Sequence, residues 1–159
     1  MRYGTRTNLK RRWTPKGFRP KCPMKIGYEF GYLYTAIYPK TGDLFCMMLP
    51  NMTKDCFEIF TNEFKKTLDK STLFILDGAR NHSQSFNDEL LTIAKLPAAS
   101  PELNPVENFF KQIRKQLANK VFENIQEVEK VLTDILHTFF IRPDIVSKVT
   151  FYPYLHNTT

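Results

Sequence analysis

The feature that most constrains this chain is the run Thr72-Leu73-Phe74-Ile75-Leu76, uncharged throughout and closed by Asp77. A short continuous apolar run of this kind reads as a strand buried on both faces. Such strands occur in α/β sheets with helices packed against them. The segments around it fit that frame. Ile26 to Tyr38 is rich in Tyr, Ile, Phe and Leu and is expected to be a strand. Pro39-Lys40-Thr41-Gly42-Asp43 is a turn by composition, and Leu44 to Leu49 is a second strand that completes a hairpin. Thr53 caps a helix running to about Leu68, with Phe57, Phe60, Phe64 and Leu68 on one face.

Beyond the central run, Ser83 to Ile93 is expected to be helical and Ala94 to Leu96 a short strand. Asn104 is a good N-cap, and Pro105 fits the first helical position of a helix whose apolar face is Val106, Phe109, Phe110, Ile113 and Leu117. Asn124 with Glu127 caps the next helix, which carries Val128, Val131, Leu132, Ile135 and Phe139. The last residues form a short helix and an exposed tail. Strands first, then strands alternating with helices, describe an α/β domain with a mixed sheet.

At 159 residues a single domain is the default, and 42% hydrophobic residues with 14% aromatics exclude a disordered chain. No apolar run approaches the roughly 18 residues needed to span a bilayer, and the basic N-terminus has no apolar segment of the secretory kind. Cys22, Cys46 and Cys56 form no C-x-x-C, and His82, His137 and His156 lie far apart. A disulfide framework and a zinc site are therefore not expected, and the thiols read as reduced cysteines of an intracellular protein. A metal held here would be held by carboxylates, which select a hard cation such as Mg²⁺ or Mn²⁺.

The net charge of +7 is local. Arg2, Arg6, Lys10, Arg11, Arg12, Lys16, Arg19, Lys21 and Lys25 precede the first acid, Glu29, which leaves 14 of the 23 basic residues against all 16 acids in the remainder. Such a cluster suits a polyanion, most simply a nucleic-acid backbone. A solubilising basic tail is the alternative, and Trp13 and Phe18 within the cluster favour an ordered surface. Pro15, Pro20, Pro23 and Gly17 prevent one regular element there, so residues 1–25 read as a basic extended segment with a hairpin around Arg11 to Thr14. Residues 26–150 read as the core and 151–159 as the tail.

Two carboxylates stand out by position. Asp77 ends the central strand, where open α/β sheets place ligands. Glu107 lies in the first turn of a helix entered through the proline-rich loop Ser100 to Pro105. Two acids from different elements can hold divalent cations for phosphoryl transfer, where paired ions sit about 3.5–4 Å apart. Each also has an ordinary explanation. Asp77 before Gly78 starts a turn, and a Glu three residues after its cap is favoured by the helix dipole.

The stretch Leu76-Asp77-Gly78-Ala79-Arg80-Asn81-His82, followed by Leu96-Pro97-Ala98-Ala99-Ser100-Pro101-Glu102-Leu103-Asn104-Pro105-Val106-Glu107, resembles the second and third catalytic motifs of DDE transposases. The nearest likeness is to bacterial insertion-sequence transposases of the mariner-type superfamily. Arg11-Arg12-Trp13-Thr14-Pro15-Lys16-Gly17 is similar to a basic R-x-W-x-P-x-G segment of the same family. Gly78 stands where Asn is common there, and Ala98 with Ala99 where Pro and an aromatic are common; neither change removes a carboxylate.

The resemblance implies an RNase H-like mixed sheet flanked by helices, and hydrolysis and strand transfer at transposon ends. It implies Asp77 and Glu107 as the second and third acids of a triad that holds two Mg²⁺ or Mn²⁺ ions when intact. It implies double-stranded DNA, at transposon ends and target, as partner, contacted through Arg11, Arg12, Trp13, Lys16, Arg80, His82, Lys111 and Arg114. For Lys111 an ordinary surface pair with Glu107, four residues away, is the competing expectation.

In the family the first catalytic Asp precedes the stretch matching Met1 to Gly4. That acid and some or all of its strand are therefore expected to be missing, leaving a chain inactive by itself. A homodimer, or association with an upstream transposase fragment that supplies the acid, is the expected assembly, in a bacterial cytoplasm at the nucleoid. A non-catalytic nucleic-acid-binding or interaction module derived from a transposase is the alternative.

Overall fold

A computed structural model describes residues 1–77, 89–97 and 100–152. Arg80, His82, the start of the helix expected from Ser83, and the tail beyond Tyr152 lie outside the described residues.

The elements run β1 (Arg2–Gly4), β2 (Phe30–Tyr38), β3 (Asp43–Leu49), α1 (Lys54–Lys65), β4 (Thr72–Leu76), β5 (Leu91–Lys95), a single 3₁₀ turn (Pro101–Leu103), α2 (Pro105–Leu117), α3 (Ile125–Phe140) and α4 (Pro143–Thr150). β1, β2 and β3 form an antiparallel ladder, and β4 and β5 a parallel one. The mixed α/β character is as expected, but among the described residues no hydrogen bond joins the two ladders. The β1 ladder ends where Met1 exchanges bonds with Leu33: the Met1 amine donates to the Leu33 carbonyl at 2.6 Å and the Leu33 N–H to the Met1 carbonyl at 2.8 Å. Beyond that point, among the described residues, β2 has a strand partner on its β3 side alone.

The hairpin strands alternate between two cores, as a two-residue repeat requires. Leu44, Cys46 and Met48 pack with Leu33 against α2, α3 and α4 around Phe109, Ile113, Leu132 and Val146. Phe45, Met47 and Leu49 pack on the other face with Ala36, Phe57, Phe60, Leu91 and Ile93. Phe60 is 1% exposed, with ring centres 5.5 Å from both Tyr34 and Phe45. Burying one such side chain stabilises by roughly 1.5–3 kcal/mol.

The turn between β2 and β3 is pinned at Gly42, whose φ of +83° and close approach to the Pro143 carbonyl leave no room for a side chain. The Ser147 hydroxyl donates to the Lys40 carbonyl at 3.1 Å beside it.

Three expectations are corrected. The strand over β5 begins at Leu91, not Ala94, and so replaces the end of the expected helix. Leu91 and Ile93 alternate into the core while pairing with Thr72 and Phe74 fixes the extended form. The central run is not buried on both faces: Phe74 and Leu76 pack toward α1, whereas Leu73 is 59% and Ile75 50% exposed. The reversal in the basic segment lies at Pro15–Phe18, where the Phe18 N–H donates to the Pro15 carbonyl at 3.1 Å and Gly17 has a φ of +86°. No ladder forms around Arg11 to Thr14. Instead the Thr5 and Thr7 N–H groups donate to the Glu29 and Lys25 carbonyls at 3.1 Å and the Lys25 N–H donates to the Thr7 hydroxyl at 3.0 Å, so that residues 8–24 form an arm closed at its base.

Candidate active site and nucleic-acid surface

Asp77 follows the last residue of β4, and the Leu96 N–H, donating to the Leu76 carbonyl at 2.7 Å, holds that strand end to the one beside it. Glu107 is the third residue of α2. The helix starts there because the Asn104 side chain accepts from the Val106 N–H at 3.2 Å and Pro105 has a preset φ. Rigid backbone therefore presents both acids.

One buried group lies within electrostatic reach of both. The Met1 ammonium is buried beside Leu33, and its pKa falls to about 6. Burial is the main cause and the Arg114 cation adds to it, while the charges of Glu107 and Asp77 pull it back up. The charges of Asp77, just after β4, and Glu107, in α2, thus both reach the buried amine that precedes β1. Tyr152 belongs to the same neighbourhood. Its phenol pKa is raised first by burial and then by the Glu107 charge. Phe151 and Tyr152 are half-buried rather than part of an exposed tail.

Arg114 is the charged partner of Glu107, with Nη1 3.5 Å from Oε2. Lys111, the partner expected from its four-residue spacing, instead donates to the Asn108 side chain at 3.2 Å on the exposed side of α2. The guanidinium lies two turns further along, on the face that also carries Phe110, 5.8 Å from its centre.

The donor set is oxygen only, which fits a hard divalent cation in kind. It is incomplete in number: among the described residues no three acidic, His or Cys side chains gather. The three cysteines are free. Burial pushes the Cys46 thiol up to about 11, away from metal-binding thiolate.

The basic arm is ordered around one residue. Asn119, with a φ of +58°, donates its N–H to the Asn8 carbonyl at 2.9 Å and accepts the Lys10 N–H at 2.9 Å on its side chain. Lys10, Arg11, Arg12 and Lys21 consequently line one cavity of about 310 Å³. Trp13 projects with its whole side chain in solvent, and Lys16 stands exposed in the reversal. Arg80 and His82 lie outside the described residues.

Sequence reasoning missed Tyr152, the Met1 amine, and a cluster of Arg2, Arg6 and Lys120 around a second cavity. The two arginines had a signal in the acid-free start of the chain; Lys120 had none.

A family profile for DDE superfamily endonucleases matches residues 1–129. The chain belongs to this superfamily. A relative of this DDE endonuclease chain in Sinorhizobium fredii (strain NBRC 101917 / NGR234), described as uncharacterized protein y4pE/y4sA, is 28% identical over 104 residues, 62% of this chain and 77% of the relative. Among solved structures, the Mos1 strand transfer complex superposes with a TM-score of 0.65 at 15% identity, over 93% of this chain and 50% of that one. The Mos1 mariner paired-end complex with Mn gives 0.63 at 14% identity, over 94% and 51%. The Mos1 transposase paired-end complex with left transposon end gives 0.60 at 16%, over 96% and 54%. The DDE chain therefore has the RNase H-like fold of these proteins and spans about half their length.

Proposed function

We propose that the chain is the catalytic part of a transposase that cuts DNA and transfers strands at the ends of a mobile element. The observation that carries this reading is the placing of two acids at the ends of separate elements, Asp77 directly after β4 and Glu107 in the first turn of α2. Membership of the DDE endonucleases and a fold shared with transposase–DNA complexes support it.

Asp77 and Glu107 would hold Mg²⁺ or Mn²⁺, two ions in a complete site. The metal, when bound, supplies activation of the attacking oxygen and charge stabilisation at the leaving one. Arg114 holds the Glu107 carboxylate in place and lowers the repulsion between two acids at one site. Arg11, Arg12, Lys16 and Trp13 hold the duplex through its phosphates, with Arg80, His82 and Lys111 as further contacts.

Two carboxylates are a poor cage for two ions, so the 159-residue chain alone is expected to cut slowly or not at all. A strand running antiparallel to β2 past Leu33 would bring a third acid near Met1. An upstream transposase fragment is the proposed source, and a homodimer on paired ends the proposed working form. The proposed location is the bacterial nucleoid; among the described residues no helix is long and apolar enough to cross a membrane.

The test is Mg²⁺-dependent nicking of an element-end duplex by the chain together with a fragment carrying an Asp-bearing strand. Asp77→Ala and Glu107→Ala should each abolish it, and nicking retained by either variant would overturn the assignment. The lack of a three-acid group among the described residues favours one second reading, a DNA-binding module without catalysis. Duplex binding with no nicking under any complementation would select it.

A further inference from the structure

The arm formed by residues 8–24 carries Lys10, Arg11, Arg12, Lys16, Arg19 and Lys21 and not one acid. Like charges on one loop repel, and Pro15, Pro20 and Pro23 remove backbone donors that could knit its limbs together. Local bonds close only its tip. There the Phe18 N–H donates to the Pro15 carbonyl and the Thr14 hydroxyl to the Phe18 carbonyl, each at 3.1 Å. A loop of this kind needs an outside partner to keep one shape.

Among the described residues that partner is Asn119. Its N–H donates to the Asn8 carbonyl, and its side-chain oxygen accepts the Lys10 N–H, both at 2.9 Å. The Cys22 thiol donates to the same oxygen at 3.7 Å. One residue thus grips the outgoing limb of the arm, at Asn8 and Lys10, and the returning limb, at Cys22. The cavity of about 310 Å³ repeats the pattern: its lining residues all belong to the arm except Asn119.

The residue type suits the task. Asn119 has a φ of +58°, a left-handed form that Asn tolerates better than most side chains do. It also directly follows Ala118, the C-cap of α2, the helix whose first turn holds Glu107. The arm is thereby referenced to the same rigid helix that presents one of the two acids.

We propose that Asn119 is a positioning residue that fixes the cations of the arm in their duplex-binding arrangement. It acts through the arm, not by contact with DNA. The entropy of ordering the arm is lost when the chain folds, so less is lost when DNA arrives. The proposal deepens the DNA-cutting reading and rests on it.

The experiment measures affinity for a DNA duplex at one fixed salt concentration. Asn119→Gly, which accepts the left-handed backbone and lacks the acceptor oxygen, is made in the 159-residue chain and again in the Arg11→Ala/Arg12→Ala/Lys16→Ala background. Alone it should weaken binding about fivefold, the factor that one net hydrogen bond is worth. In the triple-alanine background it should weaken binding far less, because the cations it positions are gone. The N–H at position 119 survives the change, and its hydrogen exchange should quicken as the outgoing limb leaves. Asn119→Asp keeps an acceptor oxygen and should keep that exchange slow. Wild-type affinity in Asn119→Gly, an equal loss in both backgrounds, or slow exchange at position 119 in Asn119→Gly would each overturn the role while leaving duplex binding by the arm intact. A triple-alanine variant that binds like the wild type would overturn the arm as a DNA surface, and the role of Asn119 with it. A wild type that binds no duplex would overturn the DNA-cutting reading as well. Asn119→Gly should melt with the wild type, since neither core includes the arm; a collapsed fold would also overturn the proposal.

Discussion

At the scale of single residues, the Met1 amine gives the clearest link between burial and behaviour. Its pKa drops from the ordinary 8.0 to about 6, so between those values the unfolded chain binds the extra proton. The stability this group withholds is fully restored above pH 8 and lost as pH falls through 6. For the 159-residue chain with a free amine, unfolding free energy should rise by about 2–3 kcal/mol from pH 5.5 to 8.5. Urea unfolding at the two pH values checks this, and acetylation of the amine should remove the slope.

Arg114 offers a second test at this scale. Arg114→Ala leaves Glu107 without its cation beside a second acid. Divalent-cation affinity, measured by calorimetry, should then increase at low ionic strength, because the carboxylate no longer has an internal competitor. Unchanged affinity would mean that the pair in the fold is not maintained in solution.

At the scale of elements, local chemistry decides where helices begin. Asn104→Ala removes the side-chain acceptor for the Val106 N–H and should cost about 1 kcal/mol in urea unfolding. Phe60→Ala, in the middle of the ring cluster under α1, should cost about 3–5 kcal/mol. Thr53, Asn104 and Asn124 were all legible as caps, because a cap needs one side chain and its immediate neighbours. The two acids proposed for the site were legible for a related reason: each sits at the end of a locally defined element.

What was not legible depended on partners distant in sequence. Leu91 to Lys95 carries no turn signal at its start and becomes a strand because β4 lies beside it. The Glu107–Arg114 pair spans two turns, a spacing that local rules pass over in favour of four residues. The exposed face of β4 was invisible in its composition, since Leu73 and Ile75 are as apolar as Phe74 and Leu76, which pack inward.

At the scale of the whole molecule, charge is segregated. The arm and the cavity beside β1 concentrate cations, while Asp77 and Glu107 stand at the end of β4 and the start of α2. Duplex binding should therefore weaken steeply with salt. Arg11→Ala/Arg12→Ala/Lys16→Ala should lower the slope of log affinity against log salt by about 2–3, near 0.9 per phosphate contact released. An unchanged slope would remove the arm from the binding surface.

Past Leu33, β2 has no strand partner on one side among the described residues, and this bears on how the protein behaves in a tube. Backbone donors and acceptors past Leu33 seek any extended chain that offers them, including another molecule of the same kind. Concentrated samples should accordingly sediment as heavier species and dilute ones as monomers. A short β-forming peptide added in excess should dissolve the heavy species by occupying the same rail.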